Sequence, residues 1–257
     1  MRAAALAVLL TALGARAAER DFPFTWSARM LAPHATEAFA GLTAHLGRVT
    51  EYSRVELRAG FAQGLAPGVE TQVFFDAVPE TQGQENRRAE MRVSNLWRLG
   101  ILSPREGRVW NAAVQAQLSL GPQAFAVDGR LVGELRFGAL LVAADAAVVQ
   151  DAYFDGRSQP AHHLEQGVAV GYGLPNGVRV GLEWRNRLGF DANGFAGDAV
   201  SMGPSLSGRF GRVWLSLAAL PQVAAFKRPE LVGNGEPLEL TDNERVVVRL
   251  LVGVDVP

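Results

Sequence analysis

The chain contains no cysteine among its 257 residues. Disulfide bonds, thiolate catalysis, cysteine-ligated metals and a lipid anchor attached through cysteine are therefore excluded. An exported protein without cysteine must be held together by its hydrogen bonds and its packing. Glycine, in contrast, is plentiful, and its 28 residues suit a fold with many tight turns and close strand approaches.

An excess of charge is also missing. The formal net charge is -1, so the composition gives no electrostatic reason to expect a nucleic-acid partner. Hydrophobic residues make up 48% of the chain and charged residues 20%, which is usual for a folded protein and argues against wholesale disorder. The length allows one large β domain or two small domains.

Long hydrophobic runs are missing beyond the N-terminus. A membrane-spanning helix needs about 18 or more continuous apolar residues. The longest later run, Phe137–Val149, is interrupted by Asp145. The sequence therefore predicts no transmembrane helix after its first residues.

The first residues have the features of an export signal. Met1-Arg2 gives a positive start, Ala3–Leu13 is apolar or small throughout, and Ala15-Arg16-Ala17 is a small-x-small cleavage site. We predict a secretory signal peptide over residues 1–17, in preference to a short membrane anchor or a buried helix. Residues 18–35, which include a Pro-bearing aromatic cluster, are predicted to form an N-terminal leader or a plug-like strap.

The mature sequence alternates between apolar and polar residues with a period of two. In Val178–Arg187, Val180, Leu182 and Trp184 alternate with charged residues such as Glu183. This period is typical of a strand whose two faces meet different environments. Because the pattern recurs along residues 36–257, it predicts a single all-β domain, an antiparallel up-and-down transmembrane β-barrel.

We predict about twelve strands. In chain order they are Thr36–Leu46, Glu51–Ala62, Gly68–Val78, Arg88–Leu99, Arg108–Leu120, Ala124–Arg136, Ala139–Tyr153, His163–Leu174, Val178–Arg187, Asp198–Gly208, Arg212–Ala224 and Glu244–Val256. The first segment would also suit a helix. The connections support a barrel, because short turns rich in Gly, Pro or Asn alternate with longer polar segments. The predicted long connections are Pro79–Arg87, Phe154–His162, Gly189–Gly197 and Ala225–Asn243.

Three features favour lipid outside the barrel. The apolar faces are about five or six residues long, enough for a tilted strand to cross the bilayer. The polar faces mix Arg with Glu and contain few Lys. Aromatic residues lie towards strand ends, as interfacial girdles do: Tyr52, Trp97, Trp110, Tyr153, Tyr172 and Trp184.

The polar faces supply the candidate functional residues, which we predict to line the lumen. They are Arg54, Glu56, Arg58, Glu90, Arg92, Glu134, Arg136, Arg179, Glu183, Arg185, Arg187 and Arg249. One interpretation is a charged pore lining that selects solutes. The other is a ladder of Arg–Glu pairs that fills a narrow interior. The sequence leaves both open.

Residues for covalent chemistry or metal binding are not grouped convincingly. His162 and His163 are adjacent on a strand and point to opposite faces, which does not suit chelation of one ion. Ser201, Ser205 and Ser207 share a face, but no histidine neighbours them in the sequence. We therefore predict no enzyme activity, no cofactor and no metal.

The segments Tyr52–Ala77, Val178–Arg187 and Arg245–Val256 resemble those of Gram-negative outer-membrane β-barrel proteins of the porin-like or transporter-like kind. The resemblance covers nearly the whole mature chain and is one of pattern. It implies residence in outer-membrane lipid and assembly by the outer-membrane insertion machinery, which usually recognises a final strand ending in an aromatic residue. This chain departs from that pattern, because it ends in Val256-Pro257.

Three hypotheses follow from these observations. The first is an outer-membrane barrel that acts as a porin-like channel, with small solutes as partners, or as a structural membrane protein. The second is an outer-membrane enzyme acting on lipid, which needs a Ser–His pair close in space. The third is a soluble periplasmic, lipocalin-like binding barrel, which needs Val180, Leu182 and Trp184 inside.

Overall fold

The structure is a computed structural model that describes residues 20–48, 52–82, 86–102, 109–122, 124–154, 161–191, 194–227, 238, 240 and 243–257. The predicted signal peptide over residues 1–17 lies outside the described residues. So do the first two residues of the predicted leader.

Twelve antiparallel strands form one closed barrel, as the sequence predicts. They are β1 (Thr36–Leu46), β2 (Tyr52–Ala66), β3 (Val69–Gln82), β4 (Asn86–Leu102), β5 (Trp110–Leu120), β6 (Ala124–Phe137), β7 (Leu140–Tyr153), β8 (Ala161–Gly173), β9 (Val178–Asp191), β10 (Gly194–Phe210), β11 (Val213–Lys227) and β12 (Val246–Val256). Each strand pairs with its sequence neighbours, and β1 pairs with β12 over its whole length. This closure leaves no free edge.

The alternating pattern places the apolar face of each strand outward. On β9, Val180 is 44% exposed and Leu182 is 50% exposed, whereas Glu183, which follows Leu182, is fully buried. On β6, Leu131 is 61% exposed while Val132 is 4% exposed. The apolar exterior is that of a barrel surrounded by lipid. It gives no support to the soluble, lipocalin-like alternative, in which Val180 and Leu182 face inward.

One end of the barrel, here named the turn end, contains three very short connections. Two-residue turns at Pro67-Gly68, Gly138-Ala139 and Gly211-Arg212 join β2 to β3, β6 to β7 and β10 to β11. The glycine in each turn has a positive φ, a conformation that a residue with a side chain rarely adopts. The other end, here named the loop end, contains the connection between β11 and β12.

Two of the connections predicted to be long are short, and that part of the prediction is wrong. β9 continues to Asp191 and β10 begins at Gly194, so most of Gly189–Gly197 is strand. The segment Pro79–Arg87 is likewise strand at both of its ends. The hydrogen-bond ladder continues past the apolar faces on which the prediction rested, because the backbone groups of polar residues pair as well as those of apolar ones.

Residues 20–35, here named the strap, enter the barrel interior before β1 begins. The strap forms neither helix nor strand. It ends in a tight turn in which Ala35 donates its N–H to the carbonyl of Ala32, and His34 donates to the carbonyl of Gly64 on β2. Among the described residues, no helix has the length and apolar character needed to cross a membrane.

Candidate functional site

The strap is held by carboxylates that project from the barrel wall. A single oxygen of Glu183 on β9 accepts the backbone N–H groups of Phe24, at 2.9 Å, and Thr25, at 2.8 Å. An oxygen of Asp145 on β7 accepts the N–H of Trp26 at 2.9 Å. Both carboxylates are buried. Because the strap has no secondary structure of its own, these charged acceptors satisfy amides that would otherwise be buried without partners.

Glu70 on β3 and Arg98 on β4 hold the next part of the strap. One oxygen of Glu70 accepts the N–H of Leu31 at 2.8 Å, and the other accepts from Arg98 at 3.1 Å. The Arg98 guanidinium also donates to the carbonyl of Ser27 at 2.6 Å. The wall therefore presents carboxylates to the N–H groups of the strap and a guanidinium to one of its carbonyls.

An aromatic side chain of the strap fits a hollow in the wall. Phe22 is 3% exposed and packs in a cluster with Leu141 and Ala169. The hollow exists because Gly171 on β8 and Gly181 on β9 lack side chains. A Cβ atom at either glycine would lie 3.0 Å from Cε1 of Phe22, closer than such contacts normally are.

The start of the strap is held by an ion-pair cluster at the turn end. Asp21 is 1% exposed and pairs with Arg179 on β9. Its other carboxylate oxygen lies 3.5 Å from the guanidinium of Arg136 on β6, which also pairs with Glu134 at 3.3 Å. Three of the predicted lumen residues (Arg136, Arg179 and Glu134) therefore belong to the attachment of the strap.

The turn-end half of the interior is filled by an apolar cluster. Its buried members come from the strap and from six strands: Leu31, Phe39, Ala62, Phe74, Leu96, Trp214 and Leu251. Trp214 is fully buried and donates its indole N–H to Glu37 at 2.8 Å, which satisfies the one polar group of its ring. The predictions from sequence missed these inward apolar side chains.

Above the strap, towards the loop end, lies a cavity of about 420 Å³. Phe24, Thr25 and Trp26 of the strap contribute to its lining. The charged residues around it come from most of the strands: Arg54, Glu56, Arg58, Asp76, Arg92, Asp128, Arg130, Asp145, Asp151, Glu165, Arg185, Arg187, Glu244 and Arg249. The interior thus has two parts, an apolar filling at the turn end and a charged cavity at the loop end.

Glu165 on β8 is the centre of the charge network on one side of the cavity. Its carboxylate lies 2.7 Å from Arg185, 3.3 Å from Arg130 and 3.9 Å from Arg187. Arg130 also pairs with Asp145, the residue that accepts the N–H of Trp26. The cavity charges and the strap are therefore joined in one continuous network.

Arg249 on β12 lies directly against the strap. It donates to the hydroxyl of Thr43 at 2.9 Å and to the carbonyl of Pro23 at 3.3 Å, and its guanidinium lies 4.4 Å from the ring centroid of Phe24. Arg185 approaches the same ring at 5.8 Å. Two guanidinium groups therefore meet one aromatic ring of the strap, an attractive arrangement at close range.

The rim of the cavity contains a cluster around Glu244, which precedes β12. Glu244 lies 2.6 Å from Arg48 and 3.4 Å from His45, and His45 lies 3.2 Å from Glu56. Burial alone raises the pKa of the Glu244 carboxyl, but its contacts with His45 and Arg48 outweigh burial and lower the pKa to about 2. This cluster joins the chain before β12 to the loop-end termini of β1 and β2.

The twelve residues predicted to line the lumen fall into two groups by their contacts. Those around the cavity are Arg54, Glu56, Arg58, Arg92, Arg185, Arg187 and Arg249, and Glu90 pairs with Arg92 at 2.9 Å. Those next to the strap are Glu134, Arg136, Arg179 and Glu183.

The prediction of lumen residues did not include several other charged residues that point into the interior. Glu70, Arg98, Asp145 and Glu165 are inward and bind the strap or the cavity arginines. The alternation that identified the predicted set also applies to these residues. Asp145 and Glu165 are isolated charges on β7 and β8, so no row of alternating charges points to them. Arg98 shares its face of β4 with Glu90 and Arg92, so the same alternation identifies it.

The prediction that Tyr153 belongs to the outer aromatic girdle is wrong. Tyr153 lines the cavity, because it shares the inward face of β7 with Asp151. Trp97, Trp110 and Tyr172 are about half exposed on the outer surface. The side chain of Tyr52 lies outside the described residues.

The residues considered for chemistry do not assemble into a catalytic or metal site. Within the described ranges, no serine hydroxyl is hydrogen-bonded to a histidine, and no group of three or more His, Asp or Glu side chains is placed to hold a metal ion. His163 faces the cavity and lies 3.6 Å from Glu165, whereas His162 is exposed. Ser205 and Ser207 are buried on the inward face of β10.

Comparison with known proteins finds similarity in structure alone. The chain matches no protein-family model and no curated protein sequence. The COG4313 outer-membrane channel from Pseudomonas putida F1 has a TM-score of 0.63 at 9% identity, over 88% of this chain and 97% of that one. The β domain of the Bordetella autotransporter BrkA has a TM-score of 0.55 at 10% identity, over 87% of this chain and 100% of that one. The KdgM porin, solved in complex with disordered oligogalacturonate, has a TM-score of 0.53 at 8% identity, over 87% of this chain and 99% of that one.

These three structures are a channel, a porin and an autotransporter domain, so the likeness concerns the fold. Sequence identity of about 10% carries no information on what passes through the barrel. The chain is a closed twelve-stranded β-barrel whose fold is similar to that of outer-membrane channels and porins.

Proposed function

We propose that this protein is a porin-like channel of the Gram-negative outer membrane in which the strap is the barrier between the two ends. Solutes enter the charged cavity at the loop end. They pass the turn end when the strap leaves the position in which Glu183, Asp145 and Glu70 hold it. Outer-membrane lipid surrounds the barrel, and the outer-membrane insertion machinery assembles it.

The observation that carries the proposal is the division of the interior. A barrel with a purely structural role gains stability from a filled interior along its whole length, whereas this one keeps a cavity of about 420 Å³ lined by charged side chains. Buried charges are costly unless they are paired or in contact with water. Their concentration at one end fits a vestibule that admits water and small polar solutes.

The twelve predicted lumen residues have two different roles in this proposal. Residues around the cavity, such as Arg58 and Arg92, set the electrostatic environment that a solute meets. Residues next to the strap, such as Glu183 and Arg179, set how firmly the barrier is held. The proposed solute is a small polar molecule that fits a cavity of this size.

A second candidate function is a structural barrel without conductance. The apolar cluster around Trp214, Phe74 and Leu96 supports it, because those side chains are at most 2% exposed and fill the turn end together with Leu31 of the strap. A strap that never moves would leave the barrel permanently closed. The two candidates therefore differ in one measurable property, the passage of ions.

The test is single-channel recording in a planar bilayer with the full-length mature protein. We expect rare or small openings in the wild type, and longer or larger openings when Glu183→Gln and Asp145→Asn together weaken the strap attachment. Asp255→Asn is the matched control, because Asp255 is an inward carboxylate at the turn end that pairs with Arg209 at 2.8 Å. Absence of conductance in all three proteins, with each still folded by heat-modifiable migration, contradicts the channel and leaves the structural role.

Ion selectivity provides a second readout in the same experiment. Arg92→Glu reverses a charge that borders the cavity, so we expect the ratio of anion to cation permeability to fall. An unchanged ratio in a protein that conducts would show that ions do not pass along the cavity.

A further inference from the structure

We infer that the turn-end half of the barrel interior is a peptide-binding site, and that the strap is a peptide ligand occupying it in the same chain. The site recognises an extended segment with the sequence of residues 20–32. It would bind that segment equally as a separate peptide.

The first support comes from how the backbone of the strap is recognised. In a strand or helix, N–H and carbonyl groups pair with other backbone groups, and side chains of the wall are not needed. Here the N–H groups of three consecutive residues, Phe24, Thr25 and Trp26, donate to wall carboxylates, and so does the N–H group of Leu31. Side chains of the wall thus take the place of backbone partners along the strap, as they would along a separate peptide.

The carbonyl groups of the strap are recognised in a complementary way. Arg98 donates to Ser27 and Arg249 donates to Pro23, so guanidinium groups meet carbonyls while carboxylates meet amides. Acceptors and donors of the wall are thus matched to the two kinds of backbone group. A filling that served only to occupy volume would not require this match.

The second support is the shape of the wall. Gly171 and Gly181 leave a hollow that the ring of Phe22 fills, and Phe24 packs in a separate cluster with Ala218, Leu220 and Val247. Two aromatic side chains spaced by two residues therefore enter two different hollows. Leu31 enters a third, formed by the apolar cluster. Anchor side chains in separate hollows, with polar contacts between them, are the usual anatomy of a peptide site.

The third support is electrostatic. The strap begins with Arg20 and Asp21, and the wall provides an opposite or polar partner for each. Arg20 donates to Gln72 at 2.9 Å and lies over the rings of Trp26 and Phe39, while Asp21 pairs with Arg179 and Arg136. The site therefore distinguishes this end of the peptide from the other, and a peptide of reversed sequence would not match it.

The experiment converts the strap into a separate peptide after the whole chain has folded. A recognition site for a sequence-specific protease is inserted between Pro33 and His34, which are exposed, and the purified protein is cleaved in detergent. Gel filtration then shows whether the cleaved strap stays with the barrel. A fluorescent synthetic peptide of residues 20–32 is added in excess, and its exchange into the barrel is followed by anisotropy.

We expect the cleaved strap to remain bound and to be replaced by the fluorescent peptide with saturation, while the peptide of reversed sequence is not taken up. Glu183→Gln should weaken peptide affinity about tenfold or more, since it removes a charged acceptor shared by two N–H groups. Asp255→Asn, the matched inward carboxylate, should leave affinity within about twofold.

Each other outcome overturns the inference. Loss of the strap on cleavage shows that only its covalent link to β1 keeps it in the barrel. Equal uptake of the reversed peptide shows that the interior binds apolar peptides without regard to sequence. Retention without any exchange shows that the strap is an inseparable part of the core. The readout is binding and needs no ion flow, so a failure of the proposed channel function, seen as absence of conductance, is distinguished from a failure here.

Discussion

The indole ring of Trp214 on β11 lies against Gly253 on the neighbouring strand β12. An added Cβ at Gly253 would overlap ring atoms of Trp214, whose N–H is fixed by Glu37. Gly253→Ala therefore forces a fully buried ring to move, and we expect a loss of about 1–3 kcal/mol in the free energy of unfolding. Urea titration in lipid vesicles, followed by tryptophan fluorescence, measures the change.

The control for this substitution is Gly129→Ala on β6, where nothing lies within 4 Å of an added Cβ. Alanine is more favourable than glycine in a strand interior, so we expect no loss or a small gain there. Equal effects at Gly253 and Gly129 would show that Trp214 does not depend on the glycine surface.

A second prediction concerns the buried pair of Glu70 and Arg98. Glu70→Gln leaves the guanidinium of Arg98, which is 3% exposed, without its carboxylate and weakens the acceptor for Leu31. We expect a loss of about 3 kcal/mol in unfolding free energy, because an uncompensated buried charge remains. Glu90→Gln, in the more exposed pair with Arg92, should cost at most about 1 kcal/mol.

A third prediction tests which face of the barrel meets lipid. Leu131 lies in the middle of β6 and is 61% exposed, and Phe210 lies beside a turn and is 63% exposed. In a membrane, Leu131→Arg should cost about 2–4 kcal/mol and Phe210→Arg at most about 1 kcal/mol, since the cost depends on depth. In a water-soluble barrel the two substitutions would have equal, small effects. Refolding into vesicles followed by urea titration separates these results.

A fourth prediction concerns acid stability and the cluster at the cavity rim. The folded pKa of Glu244 is about 2, below its ordinary value of 4.5. Ionised Glu244 therefore stabilises the folded state above about pH 4.5, and this contribution is lost as the pH falls towards 2. We expect the difference in unfolding free energy between wild type and Glu244→Gln to shrink over that range. A difference that stays constant from pH 6 to pH 2 would contradict the role of the charge.

Much of the barrel is predictable because strand alternation is local. The bounds of β1 were predicted as Thr36–Leu46 and are confirmed, although this segment would also suit a helix. Pairing decides between the two, since β1 is hydrogen-bonded along its whole length to both β2 and β12. Such pairing depends on distant residues and is not visible in the segment itself.

The contents of the interior were much less predictable. Alternation shows that Glu183 points inward, but it does not show that the carboxylate meets the N–H groups of residues far away at the N-terminus. The apolar side chain of Leu96 lies on an inward face that is polar elsewhere, and Trp214 lies on an inward face that mixes polar and apolar residues. A single apolar residue on a polar face near the turn end is the sequence signal for the filling. That signal alone is too weak to identify an apolar filling.

The order of the chain has a consequence for how the barrel folds. The strap immediately precedes β1, and β1 completes the barrel only by pairing with β12, the last strand of the chain. The contact of Thr25 with Glu183 spans 158 residues, and the β1–β12 seam spans more. Both contacts require the C-terminal part of the chain, so closure is a late and slow event in a fold of high contact order. A strap already in place when the seam forms would be enclosed by that event, and slower seam formation in variants that weaken the strap would reveal it as a template for closure.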